Sequence, residues 1–80
     1  MTREDIVSKT KEILSEEFEV AEDLIVDDAE LQATLELDSL DYVDLVVIIE
    51  ENFGFKVEQA DFTEIKTFSD FYDYVQTKVN

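Results

Sequence analysis

Apolar positions in the first stretch of the chain recur at helical spacing. Ile6, Ile13, Leu14 and Phe18 share a face, with Val7 beside them and Thr10 between. The spacing predicts an amphipathic helix ending near Phe18, started by Thr2 as N-cap with Glu4 and Asp5 in its first turn. Val20 is expected to close its end against the core. From Glu19 to Leu37 the helical period is lost, and Leu24, Val26, Leu31 and Leu35 remain as scattered anchors. A connection of this length is unusual in a compact domain. It is expected to pack across the other helices, with a short helical turn at Asp28–Gln32.

The period returns in Leu35–Phe53, where Asp38 is the expected N-cap and Asp41, three residues later, adds charge where the helix dipole is positive. On a helical wheel Tyr42, Leu45, Val46, Ile49 and Phe53 gather on one side, and Leu40, Val43 and Val47 extend the arc. Asp41, Asp44, Glu51 and Asn52 gather opposite, around a single apolar residue, Ile48. Gly54, the one glycine of the chain, falls where a helix terminates. Phe55-Lys56-Val57 reads as an extended link. Asp61 is the expected cap of a short third helix reaching about Ile65 and containing Phe62. Thr67 starts a last helix, with Asp70 three residues on and Phe68, Phe71, Tyr72 and Val75 on its apolar face, Tyr74 at the margin. The fold class predicted is all-α: a small four-helix bundle of three longer helices and one short one, with a long loop between the first two. Residues 1–80 make a single domain.

Charge sharpens this picture. There are 22 acidic residues against 6 basic ones, a net charge of −16. Between Glu12 and Phe55 fifteen acids stand without one lysine or arginine. Such a balance favours encounter with basic proteins, argues against nucleic acid and anionic membranes as partners, and predicts marginal stability at low salt. A solvated acidic face is the ordinary explanation of such a run. With no cysteine and no histidine, disulfides, thiolate chemistry and the usual transition-metal ligands are excluded. A serine hydrolase lacks its base, and an EF-hand lacks a glycine at the required place. No apolar run is long enough to span a membrane and the N-terminus has no signal-peptide core, so a soluble, monomeric, cytoplasmic protein that is not an enzyme is expected.

Asp38-Ser39-Leu40, followed by Asp41, Asp44, Glu50 and Glu51 on one helix, resembles the carrier segment of acyl carrier proteins. Ile65, Thr67 and Phe68 also fall where that family has an isoleucine, a threonine and its last helix, so the likeness covers nearly the whole chain. The resemblance implies that Ser39 carries 4′-phosphopantetheine, whose thiol holds acyl groups as thioesters, and that Asp38 is its flanking cap. It implies that a phosphopantetheinyl transferase, with Mg²⁺ and coenzyme A, installs the group. It further implies that Leu40, Asp41, Asp44, Val47, Glu50 and Glu51 meet acyl-loading and acyl-processing enzymes with basic surfaces; Ile48, from its place among Asp41, Asp44 and Glu51, is expected to add apolar contact there. Ile48 is read as a lone exposed apolar contact among acids. An acyl chain is expected to fold back against Phe53, Val57, Ile65 or Phe71. The sequence departs from the family at Glu36, where a glycine is usual, and at Tyr42, where a smaller residue is frequent. These departures lean the reading towards a specialised carrier rather than one of primary fatty-acid synthesis. The alternative is an acidic helical module that binds basic proteins and is never modified.

Overall fold

The computed structural model describes residues 2–79. Helix α1 spans Arg3–Phe18, α2 is the five-residue Leu31–Leu35, α3 spans Ser39–Phe53 and α4 spans Phe68–Val79. Two 3₁₀ turns, Glu22–Leu24 and Gln59–Thr63, punctuate the connections. The all-α bundle expected from the pattern is present, with its long connection between α1 and α3.

Three helices start on reciprocal caps. Thr2 Oγ1 accepts the Asp5 N–H while Asp5 Oδ2 accepts the Thr2 N–H. Asp38 and Asp41 do the same for α3, and Thr67 and Asp70 for α4. Each box satisfies donors that a helix start leaves bare. The Thr67 and Lys66 backbone N–H groups hold the Asp70 carboxyl below the usual carboxylate range.

The core is built mainly on α4. Phe68, Phe71, Tyr72 and Val75 are fully buried, packed with Ile6 and Leu14 of α1, Leu45 and Ile49 of α3, and Val57, Phe62 and Ile65 from the connection. Arg3 ties the outer side of α1 to α4 through Asp73 and Gln76.

Four expectations need correction. The helical turn lies at Leu31–Leu35 rather than Asp28–Gln32, because Val26–Ala29 closes as a separate turn, Ala29 N–H donating to the Val26 carbonyl, and Glu30 is held in a pairing with Thr67. Glu30 and Thr67 form an antiparallel bridge, Leu31 N–H donates to the Lys66 carbonyl, and Phe68 and Ser69 N–H donate to the Ala29 and Asp27 carbonyls. The loop anchors are Ile25, Leu31, Leu35 and Leu37, whereas Leu24 and Val26 are exposed. Leu24 ends the first 3₁₀ turn and Ile25 closes it, its N–H donating to the Glu22 carbonyl, so Ile25 alone of the three turns into the core. The short third element is a 3₁₀ turn over Gln59–Thr63, and Asp61 caps it from inside, its Oδ2 accepting the Glu58 N–H. Ile13 is only half-buried.

Candidate functional site

Ser39 is the first residue of α3 and is exposed. Its position is fixed from both sides. Asp38 Oδ1 accepts the N–H groups of Leu40 (2.9 Å) and Asp41 (3.0 Å), and Asp41 Oδ2 accepts the Asp38 N–H (3.1 Å). Across the chain, the Gln59 side-chain amide donates to the Ser39 carbonyl (3.1 Å). Among the described residues nothing hydrogen-bonds to the Ser39 hydroxyl. The backbone is held while the hydroxyl faces solvent.

Ser39 also borders a cleft of about 670 Å³ with Tyr42, Phe62 and Ile65 as its apolar lining and Gln32, Gln59, Thr63 and Lys66 among its polar lining. Of the four residues expected to receive an acyl chain, Ile65 reaches this cleft. Val57 and Phe71 are buried in the core, and Phe53 is half-buried beside Phe55, ring centroids 6.2 Å apart. Tyr42 stacks at a tilt on Phe62 (5.6 Å), and Phe62 in turn on Phe71 (6.5 Å), so aromatic rings form the passage from cleft to core.

The outward side of α3 differs from the expected one. Leu40, Val43 and Val47 do not extend the core arc. They are 75%, 50% and 47% exposed and form an apolar strip running from Ser39 along the helix, with Asp44 and Glu51 exposed beside it. Ile48, read as the exposed apolar residue, is half-buried instead. The carboxylates also divide. Asp41 and Glu50 are half-buried, and each has an oxygen engaged, Glu50 Oε1 accepting the Val57 N–H (3.2 Å). Asp44 and Glu51 accept no hydrogen bond among the described residues.

Val43 and Gln59 are the site residues that sequence reasoning missed. The signal for Val43 was present, since it falls between Ser39 and Val47 on the wheel. Gln59 carried none, because its contact spans twenty positions.

Three of the basic side chains lie over aromatic rings: Arg3 over Tyr72 (5.5 Å), Lys9 over Phe53 (5.3 Å) and Lys78 over Tyr74 (5.6 Å). Such stacking anchors a cation by about 0.5–1 kcal/mol at exposed sites. It keeps these cations beside α1 and α4 and leaves the carboxylates around Ser39 open.

The start of Glu36–Ser39 is conformationally strained. Glu36 has φ 53°, in the left-handed region that glycine occupies freely and glutamate does not. Leu37 N–H donates to the Gln32 carbonyl, and Gln32 Nε2 donates to the Leu37 carbonyl, which holds the turn in place. A conformation that glycine adopts freely is therefore taken here by a residue with a side chain.

A phosphodiester on Ser39 fits this setting in one respect and not in another. Asp38 already occupies two of the N–H groups that a bare helix start would offer an anion. No cradle holds the hydroxyl, which suits a group meant to leave the surface.

The family model described as "Phosphopantetheine attachment site" matches residues 8–75. The acyl carrier protein of Thermotoga maritima is 44% identical over 78 residues, covering 98% of this chain and 96% of its own. That of Lactobacillus johnsonii is 32% identical over the whole of both chains, and that of Coprothermobacter proteolyticus 37% identical over 99% of this chain and 96% of its own. With a family model across most of its length and full-length relatives at these identities, this chain belongs to the acyl carrier proteins, the carriers whose prosthetic group is phosphopantetheine.

Proposed function

We propose that Ser39 is the attachment residue and that the protein presents acyl groups to basic partner enzymes in fatty-acid, lipid or specialised biosynthesis. When bound, 4′-phosphopantetheine supplies a thiol that holds the acyl group as a thioester. The observation that carries the reading is the exposed, unengaged Ser39 hydroxyl at the head of a helix whose backbone is held on both sides.

Each neighbour has a separate task. Asp38 caps α3 through an oxygen already engaged twice, so the base that takes the serine proton comes from the transferase. Gln59 fixes the Ser39 carbonyl, which limits how far the hydroxyl can wander from an attacking geometry. Leu40, Val43 and Val47 provide apolar contact area, and Asp44 and Glu51 steer a basic partner towards it. Asp41 and Glu50 keep their negative charge near the interface while serving as caps. Ile48 contributes from the margin of the strip.

The test is an intact-mass measurement after incubation with coenzyme A, Mg²⁺ and a broad-specificity phosphopantetheinyl transferase. A gain of one phosphopantetheine that disappears in Ser39→Ala is expected. No gain with several transferases would turn the reading to an unmodified acidic interaction module.

A further inference from the structure

A second groove, of about 580 Å³, lies along the connection between α1 and α3. Val20, Ala29 and Ala33 line it, together with Leu24, which is 58% exposed. Small alanine side chains leave room that a bulkier apolar side chain would fill, and an exposed leucine beside that room gains from being covered. None of these residues belongs to the α3 strip.

Two further lining residues set the charge of any occupant. They are Glu19 and Glu36, the residues that close α1 and α2. They are also the two non-glycine residues with positive φ in the described chain, at 55° and 53°. Glycine would adopt that conformation without strain, and neither glutamate side chain makes a hydrogen bond among the described residues. No hydrogen bond of the described fold uses these side chains, and two carboxylates kept at positions that favour glycine point to a role outside it. Glu22 and Asp23 stand exposed next to Leu24, and no lysine or arginine occurs from Glu12 to Phe55 to neutralise any of them.

We infer that this groove docks a basic segment of a partner protein: an apolar side chain seated against Leu24 and the alanines, flanked by lysine or arginine that meets Glu19 and Glu36. A second copy of this chain is disfavoured as occupant, since two molecules of charge −16 repel. The contact lies outside the surface proposed for loading Ser39. Its failure and a failure to modify Ser39 are therefore separate results.

The experiment follows the backbone amide resonances of the full chain during titration with a short amphipathic peptide of leucine and lysine. A peptide with glutamate in place of lysine is the control. Saturable shifts at Val20, Leu24 and Ala33, absent with the control peptide, are expected. Glu19→Gly with Glu36→Gly should weaken binding there by about fivefold, as loss of two exposed charge contacts implies. The same variant should raise Tm, because the backbone strain is relieved. Leu24→Asp, at an exposed position, should remove the same shifts with the amide spectrum of the fold intact. Shifts confined to Leu40, Val43 and Val47 would overturn the inference, and so would a double glycine variant that binds as tightly as the parent.

Discussion

Nine of the fifteen residues of α3 are apolar, against six of the twelve in α4. Yet α4 fully buries four side chains and α3 two. Both helices start on a reciprocal cap, so the difference does not arise from how they begin. It arises in the residues just after the cap. The first residue of α4 is Phe68, fully buried, whereas the first two of α3 are Ser39 and Leu40, both exposed. The more apolar helix is thus the less buried one, and its surplus of apolar surface is directed outward beside the candidate attachment serine. In a protein this small, exposed apolar surface of that extent is an argument for contact with other proteins rather than for folding.

Changes to the two helices should therefore separate stability from recognition. The largest effect is expected for Phe71→Ala, which should destabilise by about 3–5 kcal/mol through the cavity it leaves. A loss on that scale consumes much of the total stability of a domain, typically about 5–15 kcal/mol. Val47→Ala on α3 should stay within about 0.5 kcal/mol, as exposed substitutions do. Chemical denaturation of the two variants side by side checks the contrast. A similar loss in both would erase the distinction.

The caps come next. Asp38→Ala and Thr67→Ala should each cost about 1 kcal/mol, because both remove a side chain that satisfies N–H groups of a first turn. Asp38→Ala should in addition slow loading at Ser39, whereas Thr67→Ala should not. Denaturation curves and loading rates on the same samples separate the two consequences.

Glu36→Gly should give a smaller change of opposite sign. A left-handed conformation costs a residue with a Cβ roughly 1–2 kcal/mol, and part of the relief is lost to the greater freedom of glycine in the unfolded chain. A net gain of about 0.5–1 kcal/mol is expected, read as a higher denaturation midpoint.

The subtlest contrast is in pH dependence, which belongs to α4. Burial pushes the Tyr72 hydroxyl up to about 12, and burial together with the hydrogen bond to Asp61 (2.7 Å) does the same for Tyr74. A tyrosine in the unfolded chain ionises near 10, so over this window the folded state holds protons that the unfolded state releases. The stabilisation is complete below about pH 10 and is lost as the pH rises towards 12. Midpoints of denaturation measured up that range should fall, and Tyr74→Phe should flatten the part due to Tyr74. The Asp61 carboxyl, lowered first by the Tyr74 hydroxyl and then by the Glu58 N–H, acts at the other extreme. Its contribution is present above the ordinary carboxylate value and fades as the pH falls through its lowered one.

Much of α4 was legible in the sequence because its signals are local. Thr67 and Asp70 stand at the spacing of a cap, and its four buried residues share one helical face. The start of α3 was legible for the same reason, as was Gly54, whose φ of 78° closes that helix; the space around it would admit a side chain, so conformation alone selects glycine. The features that stayed hidden depend on partners distant in the chain. Periodicity placed Val43 and Val47 on an apolar arc, but it cannot say which part of a broad arc meets the core. The turn and bridge at residues 26–30 are held by pairing with residues 66–69. That pairing has no local signature, and it moved the short helix to Leu31. Gln59 was invisible for the same reason, although it holds the Ser39 carbonyl.

The most direct test replaces Leu40, Val43 and Val47 together by serine. Thermal unfolding and phosphopantetheine loading at Ser39 would be measured on the same preparation. The expected result is a Tm close to that of the parent with loading slowed by about tenfold or more, the scale of losing an apolar interface anchor. A Tm that collapses while the remaining folded protein loads at the parental rate would mean that the apolar strip of α3 serves folding and not recognition.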